Sequence, residues 1–145
     1  MPLFDADRML KLVSTLREAV GHLNRHKDSR RDVFLDDPDK IASAKYHFIV
    51  AIESAIDICN HLISRNGYRV PEEYADSFTV MGEAGAFSKD AVEVFKEMAR
   101  FRNRLVHVYW EVEPEQVYNI LQSRLGDFKI FLDNIAQFLD WKDLV

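Results

Sequence analysis

Four side chains within eight residues could carry chemistry together: Arg102, Asn103, His107 and Tyr109. They lie in the stretch RFRNRLVHVYW, residues 100–110. Arginine offers a rigid fork of donors that matches a phosphate and stabilises charge developing on it. Histidine, with a reference pKa of about 6.5, takes or gives a proton near neutral pH. Cleavage of RNA without a metal needs little more. A base activates the ribose 2′-OH, a donor protonates the leaving 5′-oxygen, and a cation sits on the phosphate. DNA, lacking the 2′-OH, would be spared. Spacing alone leaves a second reading open, in which Arg102 is an interface arginine and His107 a surface histidine.

The pattern of the flanking residues sharpens the geometry. Ala91, Phe95, Met98, Arg102, Leu105 and Tyr109 alternate by four and three, which sets them on one helical seam. Arg102 therefore falls inside an apolar stripe, with Tyr109 further along the same line. A guanidinium there is costly unless it is paired or faces a cleft. Asn103 and His107, four apart, share a flank about 100–140° from Arg102 around the helix. Glu53 and Asp57 are also four apart. One of them could pair with Arg102, although a solvated helix face is the commoner fate of such a pair. Asp57 and His61 have metal-ligand spacing but no evident third ligand. His22 and His26 sit at the basic end of a helix and read as surface residues. Tyr46, Tyr68, Tyr74 and Tyr118 read as ordinary amphipathic positions. Gly-x-Ser-x-Gly, His-Glu-x-x-His and Cys-x-x-Cys patterns are absent, so neither a metal nor a cofactor is expected.

Four amphipathic segments position these groups. The first runs from about Asp5 to Lys27, with Met9, Val13, Leu16, Val20 and Leu23 on one stripe. Asp36-Asp37-Pro38-Asp39 then breaks the chain and caps a second helix, from about Lys40 to Ser64. Its apolar arc is wide, so it should be central. Asn66-Gly67 ends it. The stretch from Tyr68 to Phe87, broken by Pro71, Gly82 and Gly85, leaves room for one or two short helices. Ser88 caps a third helix ending near Tyr109. Pro114 opens a fourth, running to about Trp141, in which Gly126 suggests a close helix–helix contact. Strand periodicity is absent. The expected fold is an all-α antiparallel bundle, one domain over residues 1–145. Several arcs exceed one bundle face, and a homodimer would bury the surplus.

The chain has 145 residues and a formal net charge of −5, so the whole molecule is not a typical nucleic-acid binder. Charge is local instead. Residues 25–31 and 96–104 each carry four Arg or Lys against one acidic residue. Such islands could receive a focused anion, or could be solvated helix ends. Arg100 and Arg104 in the second island are candidate RNA contacts. The single cysteine, Cys59, rules out an internal disulfide, lies in an apolar pattern and fits a reducing compartment. With no apolar run near ~18 residues and no signal-like start, a cytoplasmic protein without a membrane span is expected.

The segment Arg102-Asn103-x-x-x-His107-x-Tyr109 resembles the Arg-x4-His-x-Tyr signature of the HEPN superfamily, in particular its HepT-type toxins. The likeness extends through YRVPEEYADSFTVMGEAGAFS and FRNRLVHVYWEVEPEQVY, over roughly residues 40–140. It implies an all-α bundle that forms homodimers, with two motifs lining a shared cleft. It also implies a metal-independent ribonuclease paired with a small nucleotidyltransferase antitoxin of the MNT type, which silences the toxin by attaching AMP to the motif tyrosine. By position, Arg102 and His107 would be catalytic, Asn103 supportive and Tyr109 the modified residue. The alternative is a non-catalytic module whose cleft binds a nucleotide or docks the transferase. A helical scaffold without ligand is the third possibility.

Overall fold

The computed structural model describes Met1–Leu144. The elements are α1 (Ala6–Lys27), α2 (Arg31–Leu35), α3 (Pro38–Asn66), α4 (Asp76–Glu83), α5 (Lys89–His107), a 3-10 turn (Tyr109–Glu111), α6 (Pro114–Ser123), α7 (Gly126–Phe138) and a final 3-10 turn (Lys142–Leu144). The fold is all-α, as its periodicity indicates. Among the described residues no helix is long and apolar enough to cross a membrane.

Helix α3 is the axis of the bundle. It packs against α1 along its length and also meets α2, α4, α5 and α6. Its first turn is fixed by Asp37, whose carboxylate accepts from the Asp39 and Lys40 amides at 2.9 and 3.3 Å, and by Pro38 at the first helical position. Gly67, at φ 64°, closes it in the left-handed conformation. Asp5 caps α1 through the Arg8 amide, and Ser88 caps α5 through the Ala91 amide, each at 3.1 Å.

Three expectations change. The fourth helix is two, α6 and α7, because the chain breaks at Arg124-Leu125. There Arg124 leaves helical geometry (φ −122°, ψ 0°) and its head binds Asp127 and Glu97. Gly126 makes no close contact, since a Cβ built there meets nothing within 4 Å. The close approach is at Gly82, where a Cβ would stand 2.6 Å from Val92 Cγ2. The short α2 was not read from the sequence; it plugs Phe34, fully buried, into the bundle. Cys59 is buried, and burial pushes its thiol pKa up.

Helix α5 is anchored at its N-terminal half. Phe95 packs with Phe78 of α4, Phe87 and Phe131 of α7 at centroid distances of 4.9–5.6 Å. Edge-to-face and tilted packing of this kind adds to simple burial. The first-turn-to-last-turn direction of α5 is thereby set before the motif begins.

The α1–α3 seam holds histidines that are not plain surface residues. His22 stacks on His47 with centroids 4.1 Å apart, and His26 Nε2 lies 2.8 Å from Ser43 Oγ. His61 Nε2 accepts the Asp5 amide at 3.0 Å. Burial is the largest cause of a lowered pKa in His22, His26 and His61.

Two predictions follow from this packing. Gly82→Ala forces α4 off α5 and should cost about 1–3 kcal/mol, whereas Gly21→Ala, with open space around it in mid-α1, should gain about 0.5–1 kcal/mol; urea unfolding checks both, and equal effects would refute the close approach. For the histidines, the folded state binds protons less readily than the unfolded chain. Stability should therefore be retained above the unfolded histidine pKa of about 6.5 and fall as pH drops below it. Unfolding midpoints at stepped pH, flat across that window, would contradict the lowered histidine pKa values.

Candidate functional site

The central feature is Arg102, only 18% exposed, reaching from α5 to α3. Its Nε and Nη2 donate to Glu53 Oε1 at 3.1 and 2.7 Å. Its Nη1 donates to Asn103 Oδ1 at 3.0 Å. Its Cζ lies 4.2 Å from the ring centroid of Tyr74. So the guanidinium has a carboxylate on one edge, an amide at one tip and a π face beneath it. Of five N–H donors, three are used, and one on each terminal nitrogen remains for a ligand.

Glu53 thus pairs with Arg102 rather than lining a solvated face. Asp57 does not join the pair. Burial, then the neighbouring Glu53, holds its pKa above the usual carboxylate value. With His61 committed to the Asp5 amide, Asp57–His61 gains no third partner, and no group of three or more potential metal ligands occurs among the described residues. Tyr74 is not an ordinary amphipathic position either, because it forms the floor under Arg102. Its hydroxyl is buried without a partner among the described residues, and burial raises its pKa. The Tyr-Ala-Asp-x-Phe stretch acquires a physical meaning here. Asp76 accepts from Arg69 at 2.8 and 3.1 Å and Phe78 joins the aromatic cluster, so both hold Tyr74 in place.

His107 ends α5, is exposed, and finds no hydrogen-bond partner among the described residues. Helical geometry sets it about 140° around and about 7.5 Å along α5 from Arg102. Asn103, one turn before His107, bridges the two because Arg102 leans onto it.

Tyr109 departs from the expected line. The helix stops at His107, Val108 adopts φ −135° and ψ 46°, and Tyr109 opens the 3-10 turn. Val112, 1% exposed, then enters the core and Pro114 starts α6. Tyr109 therefore does not sit beside Arg102 on a continuous stripe. It sits over Lys45 instead. Lys45 Nζ lies 4.1 Å from the Tyr109 ring centroid and donates to the Tyr109 carbonyl at 3.1 Å. Lys45 is 6% exposed. Burial lowers its pKa and Glu113 opposes that. Sequence reasoning missed this residue, although the signal was present. Lys45 lies four after Ile41 and three before Phe48, a cation in the apolar arc of α3, as Arg102 is in α5.

The two basic islands differ. In residues 25–31, Arg30 binds Asp32, and Arg31 meets Glu115, Asn119 and the Tyr118 ring. Two of that island's four cations are thus paired with carboxylates, while Arg25 meets His22 Nδ1 instead. In residues 96–104, Arg104 reaches Gln116 at 3.4 Å, and neither it nor Arg100 has a carboxylate partner among the described residues.

Removing the orphan hydroxyl should be harmless. Tyr74→Phe is expected to leave the thermal midpoint unchanged or raise it, while Tyr74→Leu, which deletes the π face under Arg102, should cost about 1–2 kcal/mol. A lower midpoint for Tyr74→Phe would mean that the hydroxyl has a partner.

The sequence profile of the family described as ribonuclease HepT-like matches residues 16–135. The "mRNA nuclease HepT" of Shewanella oneidensis is 32% identical over 83 residues, which covers 57% of this chain and 62% of that protein, under two thirds of its length. The "tRNA nuclease HepT" of Aphanizomenon flos-aquae is 22% identical over 134 residues, covering 88% of this chain and 90% of that protein. In fold, the chain is similar to a tri-AMPylated HEPN toxin of Shewanella oneidensis solved in complex with an MNT antitoxin. That match has a TM-score of 0.81 at 24% identity, over 89% of this chain and 96% of that one. Matched by the family profile over most of its length, this chain belongs to the HepT-like ribonuclease family.

Proposed function

We propose that the chain is the toxin of a toxin–antitoxin pair, an endoribonuclease that cuts RNA without a metal and is silenced by AMP transfer to Tyr109. The observation that carries the reading is the clamped Arg102 fork, with one donor left on each terminal nitrogen, five residues before an exposed His107 that has no hydrogen-bond partner among the described residues. In the proposed step, His107 takes the 2′-OH proton. The 2′-oxygen attacks phosphorus, the bond to the 5′-oxygen breaks, and a proton reaches that leaving oxygen from an acid. Arg102 takes the non-bridging oxygens, and Asn103 keeps its fork turned toward His107.

The working unit on this reading is a homodimer. Arg102 and His107 point about 140° apart in one chain, and a second copy facing the first would close the cleft between them. Tyr46, Val106 and Trp110, which are 60, 42 and 76% exposed, supply an apolar surface at this end of the molecule for such a partner. The substrate is single-stranded or looped RNA, whose flexible backbone reaches in-line geometry. The relatives are named as nucleases of mRNA and of tRNA, so both classes belong in the assay.

Tyr109 is 40% exposed and held over Lys45, which suits a side chain that another enzyme must reach. The partner proposed for that transfer is an MNT-type nucleotidyltransferase. AMP there would lie two residues from His107 and crowd the base more directly than the Arg102 fork. The protein is placed in the cytoplasm on this reading, and needs no cofactor.

The test is cleavage of labelled RNA and its 2′-deoxy counterpart in EDTA. Wild type should cut only RNA, with His107→Ala and Arg102→Ala each slower by about 10²–10⁴-fold while folded and dimeric. The transferase with ATP should add one AMP mass to Tyr109 and stop cutting, and Tyr109→Phe should escape. Equal cutting in the variants, or none on any RNA, refutes the nuclease.

A further inference from the structure

A cavity of about 280 Å³ opens between α3, α5, α6 and α7, away from the Arg102 clamp. Its floor is Phe48, Ile52, Met98 and Phe128, all buried, and its walls are Phe101 and Ile120, half-buried. Three arginines and two carboxylates stand around it. Arg124 is neutralised by Glu97 and Asp127 at 3.0 and 2.8 Å. Three arginines against two carboxylates leave the mouth net positive, and Arg100 and Arg104, both exposed there, have no carboxylate partner among the described residues.

We propose that this cavity receives one base of a single-stranded RNA, with Arg100 and Arg104 on the phosphates of the same strand. The inference rests on the ribonuclease reading and extends it to where the strand lies. Ring faces and apolar walls suit the π face of a base and tolerate any base identity. A net positive mouth with two exposed arginines free of carboxylate contacts suits a polyanion and would be unneeded for an apolar protein segment. On a chain of net charge −5, such a local mouth is where a polyanion is drawn.

Register connects the cavity to the reaction. Arg100, Arg104 and His107 are spaced by four and three, so they form one stripe of α5. From Arg100 to His107 is about 10.5 Å along the axis. A strand held at Arg100 and Arg104 therefore arrives at His107 one turn later. The surface offered above to a second copy lies elsewhere, since Val106 is about 120–160° around α5 from these arginines. On the proposed dimer the cavity would therefore stay open.

The experiment uses short RNAs with an abasic residue at each position flanking the cut. In wild type, one position should raise KM about tenfold with kcat unchanged. Ile120→Trp, which fills the cavity, should raise KM similarly on intact RNA and show no further penalty on that abasic RNA. Arg100→Gln with Arg104→Gln, both at exposed positions, should raise KM and flatten its salt dependence by about two counterions. An abasic penalty of the same size in Ile120→Trp, or none in wild type, overturns the base pocket while leaving the nuclease intact. A filled variant that changes oligomeric state instead assigns the cavity to a protein contact and also overturns it. If wild type cuts no RNA, the ribonuclease reading fails separately. Fluorescence anisotropy of the same RNAs then decides the pocket, and equal affinity for intact and abasic strands overturns it.

Discussion

The site depends on one constraint: a central helix cannot leave charge in its buried arc without a partner. Helix α3 carries Lys45, buried, and Glu53, partly buried, eight residues and so about 12 Å apart. Both are answered by the end of α5. Glu53 takes the Arg102 fork, and Lys45 takes the Tyr109 carbonyl and ring. These two links set the angle at which α5 approaches α3 and the point at which it stops. The motif is thus part of the packing between two helices, with its reactive edge left outside.

Neither link contributes much net stability. An ion pair with Glu53 41% exposed is weakened by water, and a largely buried ammonium without a carboxylate within ion-pair distance loses hydration that a carbonyl only partly replaces. Stability comes from the apolar side, from the four-phenylalanine cluster and the close seating of α4 at Gly82. The polar links then select one geometry from those the core allows. That division explains why Tyr74 retains a buried hydroxyl with no partner. Its ring is what the site uses, as a flat surface under the guanidinium.

Helix existence, the caps at Asp37 and Ser88, and the stripe containing Arg102 were legible because each is a local signal: a spacing, a side chain that accepts an amide, a cation among apolar neighbours. Pairing was less so. Glu53 could equally have been solvated, and only the α3–α5 crossing decides that it meets Arg102. The same crossing makes Lys45 a site residue. Tyr109 was misplaced because periodicity assumes the helix continues. Val108 breaks it to send Val112 into the core, a tertiary demand that overrides local pattern. The split at Arg124 has the same origin, a side chain bound to both Glu97 and Asp127 across a bend.

The misplacement alters how modification would silence the protein. On an unbroken helix, a nucleotide on Tyr109 would add its charge beside Arg102 and compete with substrate phosphate there. With the chain turned at Val108, the modified oxygen belongs to the Lys45 end of α3, about two helical turns from Glu53. On the proposed reading, silencing would work by crowding His107 and bringing a phosphate to a lysine that has no carboxylate within ion-pair distance among the described residues. The proposed base would be obstructed while the Arg102 clamp stays assembled. The modified side chain and the Arg102 clamp would accordingly sit at opposite ends of one short stretch of α3, linked through the last turn of α5, where His107 stands.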